Sequence, residues 1–297
     1  MKQFFKYISV LTIMVIVLMA ILDIAYSYVF RTSEPRSKIQ KILQVSNVNY
    51  DYVFLGSSRT ENHIDCEIIT KITGKSCVNF GISGGSIGDM LVLLKLMDSK
   101  GLTFDKLFLQ MDYNYNHSGL SANFRARLMP FINEPAVKNK LEMVGMNKAE
   151  EMMPFYRFMK NDQVIGFREF IASILNKKPT TGLNVGFAPK KGIGDLVASP
   201  LPMEIYNENN EVNMLEELVT ARGKDIQFFT APFCSKKQQI THFMSLLKER
   251  MPGLWDYSNL YEDRNEFFYN CGHLNIEGAR DFSNIIANRE LLNTNQI

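Results

Sequence analysis

DYVFLGSSRT, at Asp51–Thr60, is an apolar run that ends in a glycine, two serines and an arginine. A short apolar run followed by turn residues predicts a buried β-strand that leads into a helix. Such a turn places a serine hydroxyl beside helix N-terminal amides, which favour negative charge. The hydroxyl of Ser57 or Ser58 could equally do no more than cap the helix, a role in which serine is common. This stretch alone leaves both interpretations open.

The same alternation of strand and helix continues along the chain. Apolar runs predict strands at Tyr52–Leu55, Cys77–Phe80, Lys106–Met111, Lys224–Pro232 and Leu254–Ser258. Helical patterns cover residues 60–73, 86–99 and 236–250, and a last helix begins at Ile276. Strands separated by helices of this length predict βαβ units, and hence an α/β fold with a parallel sheet covered on both faces.

The alternation is interrupted by an insertion at about residues 117–206, which is rich in Met, Phe and Lys. Helices are predicted within it at Ala136–Met146, Met152–Lys160 and Gln163–Leu175. We expect this largely helical insertion to cap the carboxyl ends of the strands, where ligands bind in such folds. The alternative is that it packs on one side of the sheet. PKKGIGD, at residues 189–195, is expected to be a loop.

The N-terminal segment between Lys6 and Arg31 is apolar, with Asp23 as its only formal charge. It is long enough to cross a bilayer as a helix, and longer than the apolar part of a usual signal peptide. We therefore interpret residues 7–30 as a transmembrane anchor, residues 1–6 as a cytoplasmic N-terminus and residues 31–48 as a short stalk. Residues 49–297 then form the outer domain. The flanking basic residues weakly favour this orientation.

Asp23 lies near the far end of this span. A carboxylate there can reach the membrane interface, which we expect. The alternative is a contact between Asp23 and a partner helix, because acids inside membranes often mark such contacts.

Composition argues against several classes of partner. The net charge of +2, from 33 basic and 31 acidic residues, gives no field that would attract nucleic acid. The four cysteines form no CxxC pair and the four histidines no HxxxH pair, so no metal site is expected. GISGGSIG, at residues 81–88, matches neither nucleotide-binding glycine motif. We expect no cofactor, although this loop could supply amides to an oxyanion hole.

Two further residues could take part in chemistry. Asn114 follows the third strand and could aim its amide into the same crevice, or could serve as a turn residue. His273, in YNCGHLNIEGA, precedes the last helix, where a base could face the serine of the first strand. His63, His117 and His242 lack such a setting, and we interpret them as surface or helix-packing residues.

FLGSSRT, VNFGISGGS, LQMDYNYN and NCGHLNIEGA, in this order, resemble the serine, glycine, asparagine and histidine blocks of the SGNH/GDSL hydrolase family. The resemblance runs from about Asp51 to the C-terminus, except the insertion. The anchored arrangement is similar to DltD-like and related cell-envelope members. The resemblance implies a flavodoxin-like three-layer α/β/α sandwich and ester chemistry on acylated polysaccharide or glycolipid. It also implies a membrane-bound acyltransferase as partner and a domain outside the bacterial cytoplasmic membrane.

The family pattern assigns roles to matching positions. Ser58 matches the nucleophile and His273 the base, while the Ser58 amide, Gly84 and Asn114 match the oxyanion donors. The family has an acid three residues before the histidine, and Asn270 stands there. In a serine triad, a change from Asp to Asn lowers the rate about 10⁴-fold. Three acids nearby in sequence could substitute, namely Asp256, Glu262 and Asp263.

Three functions follow from these patterns. The first is a membrane-anchored serine esterase or O-acyltransferase with a Ser-His(-Asn) centre, acting on acyl esters of cell-envelope polysaccharide or lipid-linked glycan. The second, motivated by Asn270, is a catalytically degenerate SGNH domain that binds glycan or scaffolds an envelope assembly machine. The third is a membrane-tethered structural protein without a ligand.

The cysteines allow two arrangements. Cys234 follows the fourth strand and Cys271 lies beside His273, so both are expected at the same edge of the sheet. They could form a disulfide that holds His273, with Cys66 and Cys77 as a second pair. Four free thiols are the alternative, and the sequence slightly favours it.

Overall fold

The computed structural model describes residues 1–143, 147–179, 183 and 185–292. The chain divides into two compact units. Met1–Gln44 and Ala122–Lys178 form the first, which we call the helical unit. Val45–Ser121 and Pro179–Ile297 form the second, which we call the sheet unit.

The described residues form seven β-strands and fourteen α-helices. The strands are β1 (Asn49–Leu55), β2 (Cys77–Asn79), β3 (Thr103–Gln110), β4 (Asp225–Thr230), β5 (Trp255–Asp256), β6 (Phe268–Asn270) and β7 (His273–Leu274). The helices are α1 (Lys2–Thr32), α2 (Lys38–Gln44), α3 (Ser58–His63), α4 (Cys66–Thr73), α5 (Ile87–Ser99), α6 (Ala122–Leu128), α7 (Pro135–Met143), α8 (Lys148–Met152), α9 (Tyr156–Lys160), α10 (Asp162–Ile165), α11 (Phe167–Ile174), α12 (Asn210–Thr220), α13 (Ile240–Arg250) and α14 (Ile276–Ile286). Short 3₁₀ segments cover Tyr113–Asn116, Met129–Phe131 and Asn265–Phe267, and a π-helical turn covers Ala287–Leu291.

The main sheet has five parallel strands in the order β2-β1-β3-β4-β5. The predicted α/β fold with a parallel sheet is thereby confirmed. This order is that of doubly wound flavodoxin-like sheets, in which the chain changes direction between β1 and β3. The crevice at such a switch point lies outside the carboxyl ends of the strands. The residues that follow β1 and β3 therefore meet there.

The carboxyl-terminal halves of β1, β3 and β4 are buried on both faces of the sheet and are therefore largely apolar. Tyr52 and Phe54 of β1 join a core with Phe108 of β3 and with Phe282 of α14. The rings of Phe54 and Phe108 stack with their centroids 4.5 Å apart. Val53, which points to the opposite face of β1, is fully buried as well. This packing fixes the end of β1, where the serines lie.

Several helices are shorter than predicted because a local feature ends them. The pattern over residues 60–73 forms two helices, since the Asp65 carboxylate accepts a hydrogen bond from the Glu67 amide and so begins α4. The patterns over 152–160 and 163–175 are likewise broken, at Phe155 and Gly166. The predicted end of the helix at Met146 lies outside the described residues. The sequence patterns did not predict α12, which buries Val212, Leu215 and Val219.

The insertion is shared between the two units. Its helices, within Ala122–Lys178, belong to the helical unit, and Pro179 onward belongs to the sheet unit. There Phe187 joins the core beside β1. The backbone N–H of Asn79 donates to the Val185 carbonyl at 2.9 Å, which extends the backbone hydrogen bonding of β2. The expectation that the insertion caps the strand ends stays a prediction.

Helix α1 is the element of the described chain that is long and apolar enough to cross a membrane. None of the residues in its most apolar stretch is buried. Towards its end, Tyr26 and Phe30 are buried, with the Tyr26 ring stacked on Phe170 at 4.0 Å. Asp23 forms an ion pair with Arg157 at 2.7 Å. The counter-charge of the predicted anchor's only acid thus comes from the same chain.

The segment predicted as a stalk contains α2. Ile39 and Ile42 of this helix are fully buried. The side chain of Gln40 donates to the Phe30 carbonyl at 3.0 Å, which fastens α2 to the end of α1. Residues 31–44 are therefore packed structure within the helical unit.

Both possible disulfides are present. Cys66–Cys77 joins the start of α4 to β2, and Cys234–Cys271 joins the loop after β4 to the turn between β6 and β7. All four cysteines lie in the described part of the chain, and none is free. The alternative of four free thiols is wrong.

We expect the denatured chain to take up no iodoacetamide without reductant and four equivalents after reduction, because each of its four cysteines is in a disulfide. Intact-mass spectrometry measures the uptake. Alkylation of the non-reduced chain would contradict the pairing, and peptide mapping without reduction checks which cysteines are joined.

Candidate active site

A tight turn after β1 brings the two serines to the switch point. Gly56 has φ of +152°, and a Cβ there would lie 2.2 Å from Thr60 Oγ1 and 2.7 Å from Gln110 Cβ. Gly81, in the loop after β2, is equally confined, since its Cβ would lie 2.5 Å from the Glu61 amide nitrogen. Only glycine fits either position, so the backbone of both loops approaches α3 closely.

The two serines have different partners. The Ser57 hydroxyl accepts from the Arg59 amide at 3.2 Å and donates to Gln110 Oε1 at 2.7 Å, so Ser57 is the N-cap of α3. The Ser58 hydroxyl lies 2.8 Å from His273 Nε2. Ser57 is therefore the helix cap, and Ser58 has the histidine contact that the nucleophile interpretation requires.

The hydrogen bonds around His273 decide which ring nitrogen carries the proton. His273 Nδ1 lies 3.0 Å from Asn270 Oδ1, which also accepts from the Gly272 amide at 2.9 Å. An oxygen that accepts a backbone N–H bond faces the ring, so Nδ1 is the protonated nitrogen. His273 Nε2 is then an acceptor for the Ser58 hydroxyl. The structure thus brings Ser58, His273 and Asn270 into one hydrogen-bonded line.

His273 is electrostatically unlike the histidine of a carboxylate triad. Burial lowers its pKa to about 4, and the positive charges of Arg59 and Lys190 act in the same direction. The ring is therefore neutral at pH 7. Its two nitrogens are occupied by Ser58 and Asn270.

Three acids near Asn270 in sequence could have taken its place beside His273, namely Asp256, Glu262 and Asp263. None of them hydrogen-bonds to the imidazole, because its two nitrogens contact Ser58 and Asn270. The carboxylate of Asp256 lies instead 2.6 Å from Lys248 Nζ.

The residues matched to the oxyanion hole are placed as follows. Gly84 has φ of +69°, at the third position of an exposed turn that the Gly85 amide closes on the Ile82 carbonyl at 2.8 Å. Asn114 is buried, and its Nδ2 donates to the Gln110 carbonyl at 3.3 Å. The hydrogen bonds of Asn114 with Asp112 and Gln110 are those expected of a turn residue. As the first residue of α3, Ser58 has an amide without an intrahelical acceptor.

Sequence reasoning missed the most elaborate group in this region, the side chain of Arg59. It is fully buried, and its Nε lies 2.7 Å from Asp112 Oδ2 in an ion pair. Its Nη1 donates to the Gly272 carbonyl at 2.7 Å, and its Nη2 donates to the Ala231 carbonyl. The guanidinium also lies 3.7 Å from the centroid of the Phe233 ring. Arg59 thus joins the ends of β1, β3 and β4 to the histidine loop.

The network of Arg59 reaches the cap of α3. Gln110 Nε2 donates to Asp112 Oδ2 at 2.6 Å, and Gln110 Oε1 accepts from the Ser57 amide at 3.1 Å. The signal in the sequence was an arginine directly after the two serines and an aspartate directly after an apolar strand. Charged residues at buried strand ends need partners of opposite charge, and here Arg59 and Asp112 are partners of each other.

The structure gives His63 a more specific role than that of a surface or helix-packing residue. It is fully buried, and its Nε2 accepts from the Leu274 amide at 3.0 Å. Its ring centroid lies 6.0 Å from that of His273. Burial lowers its pKa well below the usual value, so the ring is neutral. His63 therefore fixes the backbone directly after His273.

The histidine loop is held from three sides. Arg59 binds the Gly272 carbonyl and His63 binds the Leu274 amide. The Cys234–Cys271 disulfide ties the residue after Asn270 to the end of β4. These constraints set where His273 can lie relative to Ser58.

Comparisons with known proteins add no relative: no family model matches the chain, and no curated protein matches it. In the described part of the chain, no group of three His, Cys, Asp or Glu residues is placed to hold a metal ion.

We expect Arg59→Met to lower the free energy of unfolding by about 3–5 kcal/mol, because it leaves the buried Asp112 carboxylate without its counter-charge. The double variant Arg59→Met/Asp112→Asn should regain part of this loss. The control is Lys224→Met, which removes an exposed ion pair with Asp105 and should cost at most about 1 kcal/mol. Urea unfolding of the detergent-solubilised chain, followed by Trp255 emission, measures all three. A loss in Arg59→Met no larger than the control's would contradict the assignment.

The lowered pKa of His273 predicts a pH dependence of stability. The unfolded histidine titrates near 6.5 and the folded one at about 4. The unfolded state binds more protons between these values, so stability contributed above pH 6.5 is lost as the pH falls towards 4. Asn270→Asp places a carboxylate against Nδ1 and should raise the His273 pKa by about 1–3 units. NMR titration of the ring measures the pKa, and Asn270→Ala should show no such rise.

Proposed function

We propose that this chain is a membrane-anchored serine esterase or O-acyltransferase of the SGNH type. Its substrates are acyl esters of cell-envelope polysaccharide or lipid-linked glycan. The observation that carries the proposal is the 2.8 Å approach of Ser58 Oγ to His273 Nε2, with the other ring nitrogen held by Asn270. A nucleophile, a base and an orienting group in hydrogen-bonded sequence are the signature of covalent acyl transfer. The strand order and the position at the switch point support the same family.

In the proposed reaction, His273 Nε2 takes the proton of the Ser58 hydroxyl as its oxygen attacks the acyl carbonyl. The tetrahedral oxyanion is stabilised by the Ser58 amide, Gly84 and Asn114. The ester C–O bond then breaks, and His273 gives its proton to the departing alcohol oxygen. Water or a sugar hydroxyl attacks the acyl-enzyme next, with His273 again taking and returning the proton. Hydrolysis and transfer differ only in this acceptor.

Asn270 defines how this centre differs from a carboxylate triad. It orients the imidazole through Oδ1, but it provides no negative charge for the imidazolium that forms during the reaction. With a pKa of about 4, His273 is a weak base and, once protonated, a strong acid. Proton donation to the leaving alcohol is therefore favoured more than activation of Ser58.

Two features support a location outside the bacterial cytoplasmic membrane. Helix α1 has the length and apolar character of a single-pass anchor. The two buried disulfides are typical of an oxidising compartment, such as the periplasm or the cell surface. Acylated glycans and a membrane-bound acyltransferase partner would be within reach of a domain held there.

The rival function is a degenerate SGNH domain that binds glycan or scaffolds an envelope assembly machine. Asn270 and the lowered pKa of His273 are the observations that favour it. A structural protein without a ligand is less consistent with a Ser58–His273 hydrogen bond at a switch-point crevice. The first two functions are separated by whether Ser58 reacts.

We expect the full-length chain to react with a fluorophosphonate probe and Ser58→Ala to remain unlabelled, because the Ser58 hydroxyl has the His273 imidazole within hydrogen-bonding distance. The matched control is Ser57→Ala, which removes the neighbouring hydroxyl and a helix cap worth about 1 kcal/mol but should still label. Labelling is read by gel fluorescence and by mass spectrometry of the modified peptide. Fluorophosphonate labelling of Ser58→Ala as strong as that of wild type would contradict the proposal.

Model-ester hydrolysis by wild type, Asn270→Asp and Ser58→Ala separates enzyme from scaffold. Asn270→Asp should raise the rate by up to about 10⁴-fold, the amount that an Asp-to-Asn change removes from a serine triad. Ser58→Ala should be inactive. Absence of both labelling and hydrolysis in wild type and in Asn270→Asp would favour the scaffold.

A further inference from the structure

The end of α1 defines a level along the membrane normal. Its uncharged part before Asp23, Tyr7–Leu22, has 16 residues and spans roughly 24 Å at 1.5 Å per residue. Lys6, which precedes it, can extend its charged end to the opposite interface, so the segment approaches the hydrocarbon thickness of a bilayer. Asp23 follows directly and lies at the boundary between hydrocarbon and headgroups. Whatever contacts Asp23 lies at this boundary too.

A loop of the helical unit contacts Asp23. The Phe155 amide donates to Asp23 Oδ2 at 2.8 Å, and Arg157 Nη2 donates to Asp23 Oδ1 at 2.7 Å. These bonds place the segment between α8 and α9 at the level of Asp23. Met152 and Met153, at the end of α8, are 76% and 50% exposed.

Helix α11 reaches the same level independently. Phe170 stacks on Tyr26, and Ile174, one turn further along α11, lines a surface groove with Val29 and Thr32. The two helices therefore run in the same direction, away from the membrane. Phe167 begins α11 three residues before Phe170, so it lies about 4.5 Å below the level of Tyr26. That is the level of Asp23, and Phe167 is 66% exposed.

We propose that Met152, Met153 and Phe167 form a membrane-contacting rim, which inserts into the interfacial layer of the bilayer that α1 crosses. The inference rests on the anchor of the proposed function. Large exposed apolar side chains at one level of the helical unit mark an interaction surface, and continuity with α1 identifies lipid as what covers this one. Arg168, exposed beside Phe167, can extend its charged end to lipid phosphates. The rim holds the helical unit against the membrane at a second place besides α1.

The test uses tryptophan positions in full-length chains reconstituted in vesicles of phosphatidylcholine and phosphatidylglycerol, with or without brominated acyl chains. Trp255, the only tryptophan, is first replaced by phenylalanine. Single tryptophans are then placed by Ile13→Trp, Phe167→Trp and Ile174→Trp. Ile174 is the matched control, because it is 50% exposed on the same helix, two turns or roughly 10 Å further from the membrane.

We expect brominated lipid to quench Ile13→Trp strongly, to quench Phe167→Trp and to leave Ile174→Trp nearly unchanged. Quenching of Phe167→Trp no greater than that of Ile174→Trp, with Ile13→Trp quenched, would overturn the rim while leaving the anchor standing. Loss of quenching at Ile13→Trp would overturn the anchor and the rim together. Neither result depends on the esterase assays, so failure of the rim and failure of the proposed chemistry are distinguishable.

Discussion

A guanidinium and a carboxylate, both withdrawn from water, hold the candidate site together. Arg59 follows the candidate nucleophile and Asp112 follows β3, so their ion pair joins the two strand ends that flank the switch point. Removing either partner would leave a buried charge without compensation, which is far more costly than losing a surface ion pair. The remaining donors of Arg59 bind carbonyls of the β4 end and the histidine loop. One side chain therefore sets the relative positions of four segments distant in sequence.

This arrangement also accounts for the electrostatics of His273. A triad normally places a negative charge behind the imidazole, whereas this site places Asn270 there and a positive charge nearby. The negative charge of the region, Asp112, is committed to Arg59. The site thus has the alignment of a triad without its charge: Ser58 and His273 are hydrogen-bonded, but the protonated form of His273 is disfavoured. In the acyl transfer proposed above, such a centre implies a slow reaction in which release of the leaving alcohol benefits from a strongly acidic histidine.

Much of the sheet unit could be predicted from the sequence because the carboxyl-terminal halves of its long strands are buried on both faces and are therefore short, largely apolar runs. Ser58 and His273 could be singled out because glycines and loop formers surround each. Arg59, Asp112 and His63 could not, since their roles come from contacts between residues far apart in the chain. The breaks at Asp65 and Phe155 are single-residue backbone events that helical periodicity does not encode. The disulfides depended on compartment and distance, and composition fixes neither.

The Asp23–Arg157 ion pair imposes an order on biosynthesis. These residues are 134 positions apart, and chains emerge from the ribosome N-terminus first. If α1 is the anchor proposed above, the counter-charge of its acid has not been synthesised when the helix enters the membrane. Asp23 must first be hydrated, contact lipid headgroups or be protonated. It can form its ion pair with Arg157 only after β1 to β3 have been translated. The proposed anchor would therefore be inserted early and completed late, and a chain interrupted before residue 157 would carry α1 with an uncompensated acid.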